Sequence, residues 1–354
     1  MKNRLKIAVF SMAIIALQAN EVEKPTPKVD SIDVAEYIKC YPAIKQIEMR
    51  DNWLKDHKMG EWQFTGDITA KDKTVVSPQV GTNYGYSWFN ISKEPVVITM
   101  PKYDKYYSLS IFDMNHFIEV KVMPTKPVVI RLPHQKSPIE GAEEIVLQTY
   151  QGLAFSRQVI ADNTKEVMKL AKEITIEGGG GDFPFVMPSF DKDVASAGVK
   201  KIAQWLRKHK DSSRFFVSPY EGGRYMDRAA GVMGGQLGIQ SRYVQYGVIG
   251  HTNGKDSYEY TIPKDGLIRN DKGYWTFTIY NDKDRYLIPN KGNKYHVSSY
   301  NAKANADGTY TIRINPEGKG DNAIPTNGVE FYALFRVYEP VSDIKFPTLE
   351  NISK

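Results

Sequence analysis

Five polar or aromatic side chains in the first half of the sequence could form a small-molecule site. Tyr84, Tyr86 and Trp88 alternate in the segment NYGYSWFN, and Asp113 and His116 follow in SIFDMNHF. In a β-strand, alternate residues share one face, so the three aromatic rings would lie side by side. Such a face can stack on a sugar or another flat ligand, with the carboxylate and the imidazole as polar contacts. If the face points inward, the rings are core residues, and this alternative stays open.

The standard catalytic and cofactor-binding motifs are missing from the sequence. There is no Gly-x-Ser-x-Gly elbow, no His-Glu-x-x-His, no Walker motif and no dinucleotide-binding glycine pattern. The six histidines are scattered, and the single cysteine, Cys40, has no cysteine partner for zinc. Four glycines at 178–181 lack the Lys-Ser or Lys-Thr of a phosphate loop, which favours a flexible connector. We therefore predict no cofactor and no metal, and we assign no catalytic residue.

The N-terminus predicts export. Three basic residues within 2–6 precede an uncharged apolar run at 7–17, which has secretory length and is short for a membrane span. We predict a signal peptide at 1–19 and a charged linker at 20–30, in a periplasmic or secreted protein with no integral membrane segment. Without residues 1–19, the 47 basic residues fall to 44, against 41 acidic ones. This near balance argues against a nucleic-acid partner.

Two strand-rich stretches of the same character dominate the chain. Residues 75–122 and 273–340 alternate aromatic or β-branched residues with polar ones, and Pro, Asn, Asp and Gly interrupt them. This pattern is typical of antiparallel sheets. The 22 tyrosines suit half-buried strand faces, where the ring enters the core and the hydroxyl stays at the edge. At 354 residues the chain exceeds the usual size of one hydrophobic core, so two domains are expected, with a single large β domain as the alternative.

Helical patterns precede and separate these stretches. A helix beginning near Ser31 carries apolar residues on one face, and Pro42 inside it predicts a kink or a break into two short helices. Apolar residues at roughly helical spacing predict a helical region over 139–174 and further helices over 189–209 and 221–237.

These patterns together predict a mainly β protein with helices, of the α+β class. We expect two antiparallel β-sandwich or jelly-roll-like domains with a helical middle segment. The N-terminal β domain with its opening helix should cover residues 31–138, the helical middle 139–242, and the C-terminal sandwich 243–354.

The strand-rich stretches resemble two known families. VVSPQVGTNYGYSWFNISKEPVVITMPKYDKYYSLSIFD is similar to the core of the domain-of-unknown-function family 1254, and the upstream AEYIKCYPAIKQIEMR resembles its opening helix. YWTFTIYNDKDRYLIPNKGNKYHVSSYN, followed by DGTYTIRINP and FYALFRVYEP, is similar to the partner family 1214. The resemblance implies two β-sandwich-like domains in envelope or secreted proteins of bacteria and some large viruses, with no settled biochemical role.

The chain departs from the family pattern at polar positions. Gln79 and Gly81 stand ahead of Thr82 where the 1254 family tends to have Asn and Asp, while Tyr84 is kept. If those polar residues build a shared pocket in the family, this chain has altered or lost it. A glycine in place of a carboxylate cannot act as acid, base or ligand, which weighs against an enzyme.

We expect an exported, non-enzymatic protein that binds a ligand or partner through an aromatic cleft at the junction of its domains. A small molecule or a saccharide is the expected partner. Two alternatives stay open. A hydrolase or lyase acting on saccharides or small organic acids would use Asp113 or His116 as base and a tyrosine as acid. A structural protein of a homo-oligomer or virus particle would assemble through exposed edge strands.

Overall fold

The structure is a computed structural model that describes residues 31–73, 76–161, 163–209, 212–342 and 344–353. The predicted signal peptide at 1–19 and the linker at 20–30 lie outside these described residues. Within the described part of the chain, no helix is both long and apolar enough to cross a bilayer.

Four α-helices lie in the described part of the chain. They are α1 (Ser31–Trp53), α2 (Thr164–Ala171), α3 (Lys192–Lys208) and α4 (Tyr225–Gly235). Helix α1 runs through Pro42 without dividing into two helices, so of the predicted kink or break the break does not occur. A proline removes one backbone hydrogen bond, but Ile38 and Tyr41 beside it are buried in the core and hold this part of the helix in place.

The described residues also form seventeen β-strands. They are β1 (Gln63–Phe64), β2 (Thr82–Asn90), β3 (Val96–Thr99), β4 (Tyr107–Asp113), β5 (Ile118–Val122), β6 (Val128–Arg131), β7 (Glu143–Val146), β8 (Gln151–Val159), β9 (Thr175–Gly178), β10 (Val244–Thr252), β11 (Tyr258–Ile262), β12 (Tyr274–Asn281), β13 (His296–Ser298), β14 (Tyr310–Asn315), β15 (Ala323–Pro325), β16 (Phe331–Tyr338) and β17 (Glu350–Asn351).

Two sheets build the N-terminal domain. Sheet I has the strand order β1-β2-β8-β4-β5, and sheet II has the order β7-β6-β3-β9. Every pair in sheet I is antiparallel, and in sheet II only β6 and β7 run parallel. The two sheets pack through buried apolar residues, including Phe89 and Leu109 of sheet I and Ile98 and Ile130 of sheet II. This face-to-face packing makes the domain a β-sandwich.

The C-terminal domain repeats this plan. Sheet III has the order β10-β16-β12-β13, and sheet IV has the order β15-β14-β11-β17. Phe277 and Phe335 of sheet III pack against Tyr260 and Ile312 of sheet IV in a second core. The predicted α+β architecture of two β domains is therefore confirmed.

The helices fill the space beside both sandwiches. Helices α1, α3 and α4 pack against one another. Their buried residues form one core with Trp88 and Phe155 of sheet I, and this core extends to Tyr274 and Tyr338 of sheet III. The helical layer therefore covers the face of sheet I that sheet II leaves free, and it reaches the C-terminal domain.

The predicted helical region at 139–174 is wrong for most of its length. Strands β7 and β8 occupy it, and only the short helix α2 is helical. All nine residues of β8 are buried. A strand that is covered on both faces need not alternate apolar with polar residues, and the run QGLAFSRQV of β8 gave no period-two signal. The middle segment 139–242 is therefore mixed, because its first part completes the N-terminal sandwich before α3 and α4 begin.

The glycines at 178–181 are packed against the N-terminal domain. Gly179 donates its backbone N–H to the carbonyl of Pro95 at 3.1 Å, and Gly181 donates to that of Asn90 at 3.3 Å. A Cβ on Gly178 would lie 2.3 Å from the Pro95 oxygen. These residues permit a close backbone approach, which corrects the prediction of a flexible connector.

Candidate functional site

A cavity of about 480 Å³ lies where the two domains meet the helices. Strands β2 and β8 of sheet I line one side, and strands β10 and β16 of sheet III line another. Helix α4, the residues that follow it and Leu206 of α3 form a third side. Cavities of this size hold organic molecules of up to drug size.

Sheet I gives the cavity three aromatic rings and an arginine. Tyr84 of β2 lies directly across from Arg157 of β8, and Tyr86 lies across from Phe155. Directly opposed residues in an antiparallel pair share a face, so all four side chains lie on the cavity side. The ring of Tyr84 stacks on that of Phe155 with 5.3 Å between centroids. The guanidinium of Arg157 lies 4.3 Å from the centroid of the Phe155 ring.

Sheet III gives the cavity a matching set. Tyr246 of β10 lies directly across from Arg336 of β16. Tyr338, two residues further along β16, shares that face, and its ring stacks on Tyr274 with 4.5 Å between centroids. Each sheet therefore supplies one arginine with a tyrosine opposite it on the next strand.

A short segment ahead of β2, the junction loop (residues 76–80), joins the two sheets. The Gln79 amide nitrogen donates to the Tyr274 hydroxyl at 2.5 Å. The Tyr338 hydroxyl donates to the Gln79 amide oxygen. Gln79 is buried, so both of its amide atoms find partners on the C-terminal domain where water cannot serve them.

Backbone carbonyls of the junction loop bind the same sheet. Arg336 donates through Nη2 to the carbonyl of Ser77 at 2.9 Å. The Tyr280 hydroxyl donates to the carbonyl of Pro78 at 2.7 Å and accepts from Nη1 of Arg336 at 3.0 Å. The junction loop therefore belongs to the N-terminal domain by sequence and to sheet III by its hydrogen bonds.

Of the five side chains predicted to contact a ligand, Tyr84 and Tyr86 line the cavity and the other three do not. Trp88, Asp113 and His116 are each at most 1% exposed. Trp88 shares the face of the two tyrosines but lies in the core beneath the helices. Trp88 is covered by the helical layer, which leaves this face of sheet I open only near Tyr84 and Tyr86. Asp113 and His116 are buried in the turn after β4, so the expectation that these three residues meet a ligand is corrected.

Asp113 and His116 form the turn between β4 and β5. The His116 N–H donates to the Asp113 carbonyl at 3.0 Å, and the Phe117 N–H donates to the Asp113 carboxyl at 2.8 Å. Burial raises the pKa of Asp113 to about 7, although the Phe117 hydrogen bond and nearby Arg228 oppose the rise. Burial and Arg228 lower the pKa of His116 to about 3. Both groups are therefore largely uncharged near pH 6.

Gly81 occupies the position where the family resemblance leads us to expect a carboxylate. Its φ is +74°, and a Cβ there would lie 2.6 Å from Nε2 of His296. Burial lowers the pKa of His296 to about 4, so the ring is neutral near pH 7. A neutral imidazole of the C-terminal domain thus fills the space that a side chain at position 81 would need.

The charged groups of the cavity are all arginines. Its described lining contains Arg157, Arg336 and the exposed Arg285, and it contains no Asp, Glu, His, Cys or Lys. Across the described residues, no three His, Cys, Asp or Glu side chains come together as a metal site.

Arg157 and Arg336 were not among the predicted ligand contacts. Arg157 lies within the region whose pattern predicts a helix, and Arg336 lies within a strand that matches the family pattern. The sequence did contain a feature that could have identified them. Each arginine is the single charge inside an otherwise uncharged run, LAFSRQVI for Arg157 and YALFRVY for Arg336. A charge in the middle of a buried strand is rare unless it is paired or functional.

Two protein families match parts of this chain. The family described as Protein of unknown function (DUF1254) matches residues 62–178, and Protein of unknown function (DUF1214) matches residues 250–342. Their order is the one that the resemblance predicts. No curated protein matches the chain.

Two solved structures share the overall fold. The VPA0106 protein from Vibrio parahaemolyticus matches with a TM-score of 0.74 at 16% identity, covering 91% of this chain and 99% of its own. An uncharacterized protein from Burkholderia cenocepacia matches with a TM-score of 0.50 at 11% identity, covering 93% of this chain and 92% of its own. At these identities the likeness concerns the fold alone.

Gly81→Ala should destabilise the protein more than Gly60→Ala does. Both glycines have positive φ, but a Cβ at Gly60 has no neighbour within 4 Å, whereas one at Gly81 meets His296. Backbone strain alone costs about 1–2 kcal/mol at each position. We expect this extra loss of unfolding free energy to disappear when Gly81→Ala is made in a His296→Ala background and compared with His296→Ala alone. Urea unfolding measures the free energy of each variant. Equal losses in the two single variants would show that His296 does not restrict position 81.

Asp113→Asn should change how stability depends on pH. Between about pH 4 and 7, the folded protein keeps a proton on Asp113 that the unfolded chain has released, so this group's contribution to stability falls as pH rises. The variant lacks this loss. Its unfolding free energy minus that of the wild type should rise with pH across this window, by at most about 1.4 kcal/mol per pH unit, and level off above it. The effect of His116 cancels in the difference, and a pH-independent difference would contradict a buried neutral carboxyl.

Proposed function

We propose that this protein, which pairs a DUF1254 domain with a DUF1214 domain, is a non-enzymatic binding protein that holds a small organic molecule in the cavity between them. The observation that carries the proposal is the aromatic lining supplied by both domains. Tyr84, Tyr86 and Phe155 come from sheet I, and Tyr246 and Tyr338 come from sheet III. Aromatic side chains offer a large apolar contact area together with hydroxyl groups that orient a ligand.

The make-up of the cavity favours binding over catalysis. The hydrolase or lyase alternative needs a general base within hydrogen-bond reach of the substrate. Its two candidates, Asp113 and His116, lie outside the cavity lining, and the described lining offers no other carboxylate or imidazole. The alternative of a structural protein in an oligomer stays a prediction.

The neutral fluorescent probe N-phenyl-1-naphthylamine tests the proposal, because its emission rises when it enters an apolar cavity. We expect saturable binding with one site per chain. Tyr246→Ala removes a ring from the cavity and should weaken binding about tenfold, a loss of about 1.4 kcal/mol that aromatic contacts commonly supply. The measurement is a fluorescence titration of each variant, with thermal melts as a check on folding.

Tyr220→Ala is the matched control. Tyr220 is 73% exposed and does not line the cavity, so the same substitution there should leave the probe affinity unchanged. Absence of saturable binding to the wild type, or equal weakening in both variants, would overturn the proposal.

Export is the proposed setting for this binding. The support is the N-terminal sequence, in which basic residues within 2–6 precede the apolar run at 7–17. When the full chain is expressed in a Gram-negative host, we expect protein in the periplasmic fraction with an intact mass that lacks residues 1–19. Changing the three basic residues to Glu should block this processing, since the basic segment directs insertion. A full-length mass confined to the cytoplasm would rule out a cleaved signal.

A further inference from the structure

Arg157 is a buried cation that its neighbours do not neutralise. Its side chain lies on the central strand β8, and the residue is 6% exposed. Nη1 donates to the Ser110 hydroxyl at 2.8 Å, and Nη2 donates to the carbonyl of Leu237 at 2.7 Å. Both acceptors are neutral oxygens, so they orient the guanidinium without balancing its charge.

Arg336 is in the same situation on the opposite wall. The residue is 5% exposed, and its two Nη atoms donate to the Tyr280 hydroxyl and the Ser77 carbonyl. Neither Arg157 nor Arg336 forms an ion pair with a carboxylate among the described residues. A guanidinium does not lose its proton in a protein, so both side chains stay charged.

Other buried charges of this protein do have partners. Glu339 is 4% exposed and pairs with Arg269 at 2.7 Å. Asp227 is 3% exposed and pairs with Arg214 at 3.0 Å. Burying a charge without a counter-ion costs several kcal/mol, and pairing is the usual remedy. The two arginines of the cavity therefore differ from these two buried acids, each of which has a cationic partner.

The tyrosines beside these arginines do not supply the missing charge. Tyr84 and Tyr246 each interact electrostatically with the guanidinium groups of both Arg157 and Arg336. Burial raises the pKa of both phenols, and the arginines only oppose that rise. The hydroxyl groups are therefore neutral at pH 7 and can donate hydrogen bonds to an anion. Arg157 and Arg336 line the same cavity, one from each domain, so they face one shared space.

We propose that Arg157 and Arg336 together bind the carboxylate of an organic acid whose apolar body lies against the aromatic rings of the cavity. This inference rests on the proposed binding function and adds the class of ligand to it. A carboxylate accepts several charge-assisted hydrogen bonds from guanidinium groups and supplies the negative charge that the cavity lacks. One arginine comes from each domain, so the bound anion contacts both.

A pair of probes with the same ring system separates the two proposals. 8-Anilinonaphthalene-1-sulfonate is the neutral probe N-phenyl-1-naphthylamine with an added sulfonate, which stands in for a carboxylate. We expect Arg157→Gln and Arg336→Gln each to weaken binding of the sulfonate probe about tenfold, as the loss of a charge-assisted hydrogen bond does. Binding of the neutral probe should weaken several-fold less than binding of the sulfonate probe, because the neutral probe makes no charged contact.

Two controls accompany this measurement. Arg313→Gln removes an arginine that pairs with Glu259 in sheet IV, away from the cavity lining, and should leave the affinity for both probes unchanged. Arg157→Lys and Arg336→Lys keep the charge and should retain part of the sulfonate affinity that the glutamine variants lose. Equal effects of the glutamine variants on both probes would overturn the carboxylate site and leave the cavity function intact. Failure of the neutral probe to bind at all would overturn the cavity function itself.

A measurement on the wild type keeps the inference testable if a glutamine variant does not fold. Octanoate and octanamide have the same chain and differ in the charge of the head group. Octanoate should displace the sulfonate probe at a concentration at least about tenfold lower than octanamide does. Equal displacement by the two compounds would overturn the inference.

Discussion

The hydrogen bonds of the junction loop fix the arrangement of the two domains. Residues 76–80 lead directly into β2 of sheet I, yet Gln79 and the carbonyls of Ser77 and Pro78 bind side chains of sheet III. The distance between the two sheets therefore depends on this short segment. Because the network is buried and both the nitrogen and the oxygen of the Gln79 amide are hydrogen-bonded, it holds one geometry rather than a range of them. The cavity is the space that this fixed separation leaves between the sheets and the helices.

The sequence was most informative where aromatic or β-branched residues alternate with polar ones. The alternation in 75–122 and 273–340 predicted the antiparallel strands of both domains, including β4, in which all seven residues are buried. No such alternation is present in β8, which is also fully buried. A strand that is covered on both faces need not alternate, and whether it is covered is decided by sheets and helices that lie far away in the sequence.

The candidate site could be predicted from the sequence only in part. Alternation correctly put Tyr84, Tyr86 and Trp88 on one face, but only the packed helices determine where along that face a cavity remains. Arg336 meets the Ser77 carbonyl across 259 positions of sequence, and Arg157 meets that of Leu237 across 80. The burial of these two arginines is therefore produced by long-range packing. The local sequence shows the two isolated charges, but it does not show which distant residues bury them.

The symmetry of the two cavity walls bears on what either half of the chain could form alone. Each sandwich supplies a single arginine with a tyrosine across from it, and neither sandwich encloses the cavity alone. A gene reduced to either half would encode a domain whose aromatic wall faces solvent, which favours self-association. The cavity therefore exists only in a chain that contains both halves, so a change that removes either sandwich removes the cavity as a whole.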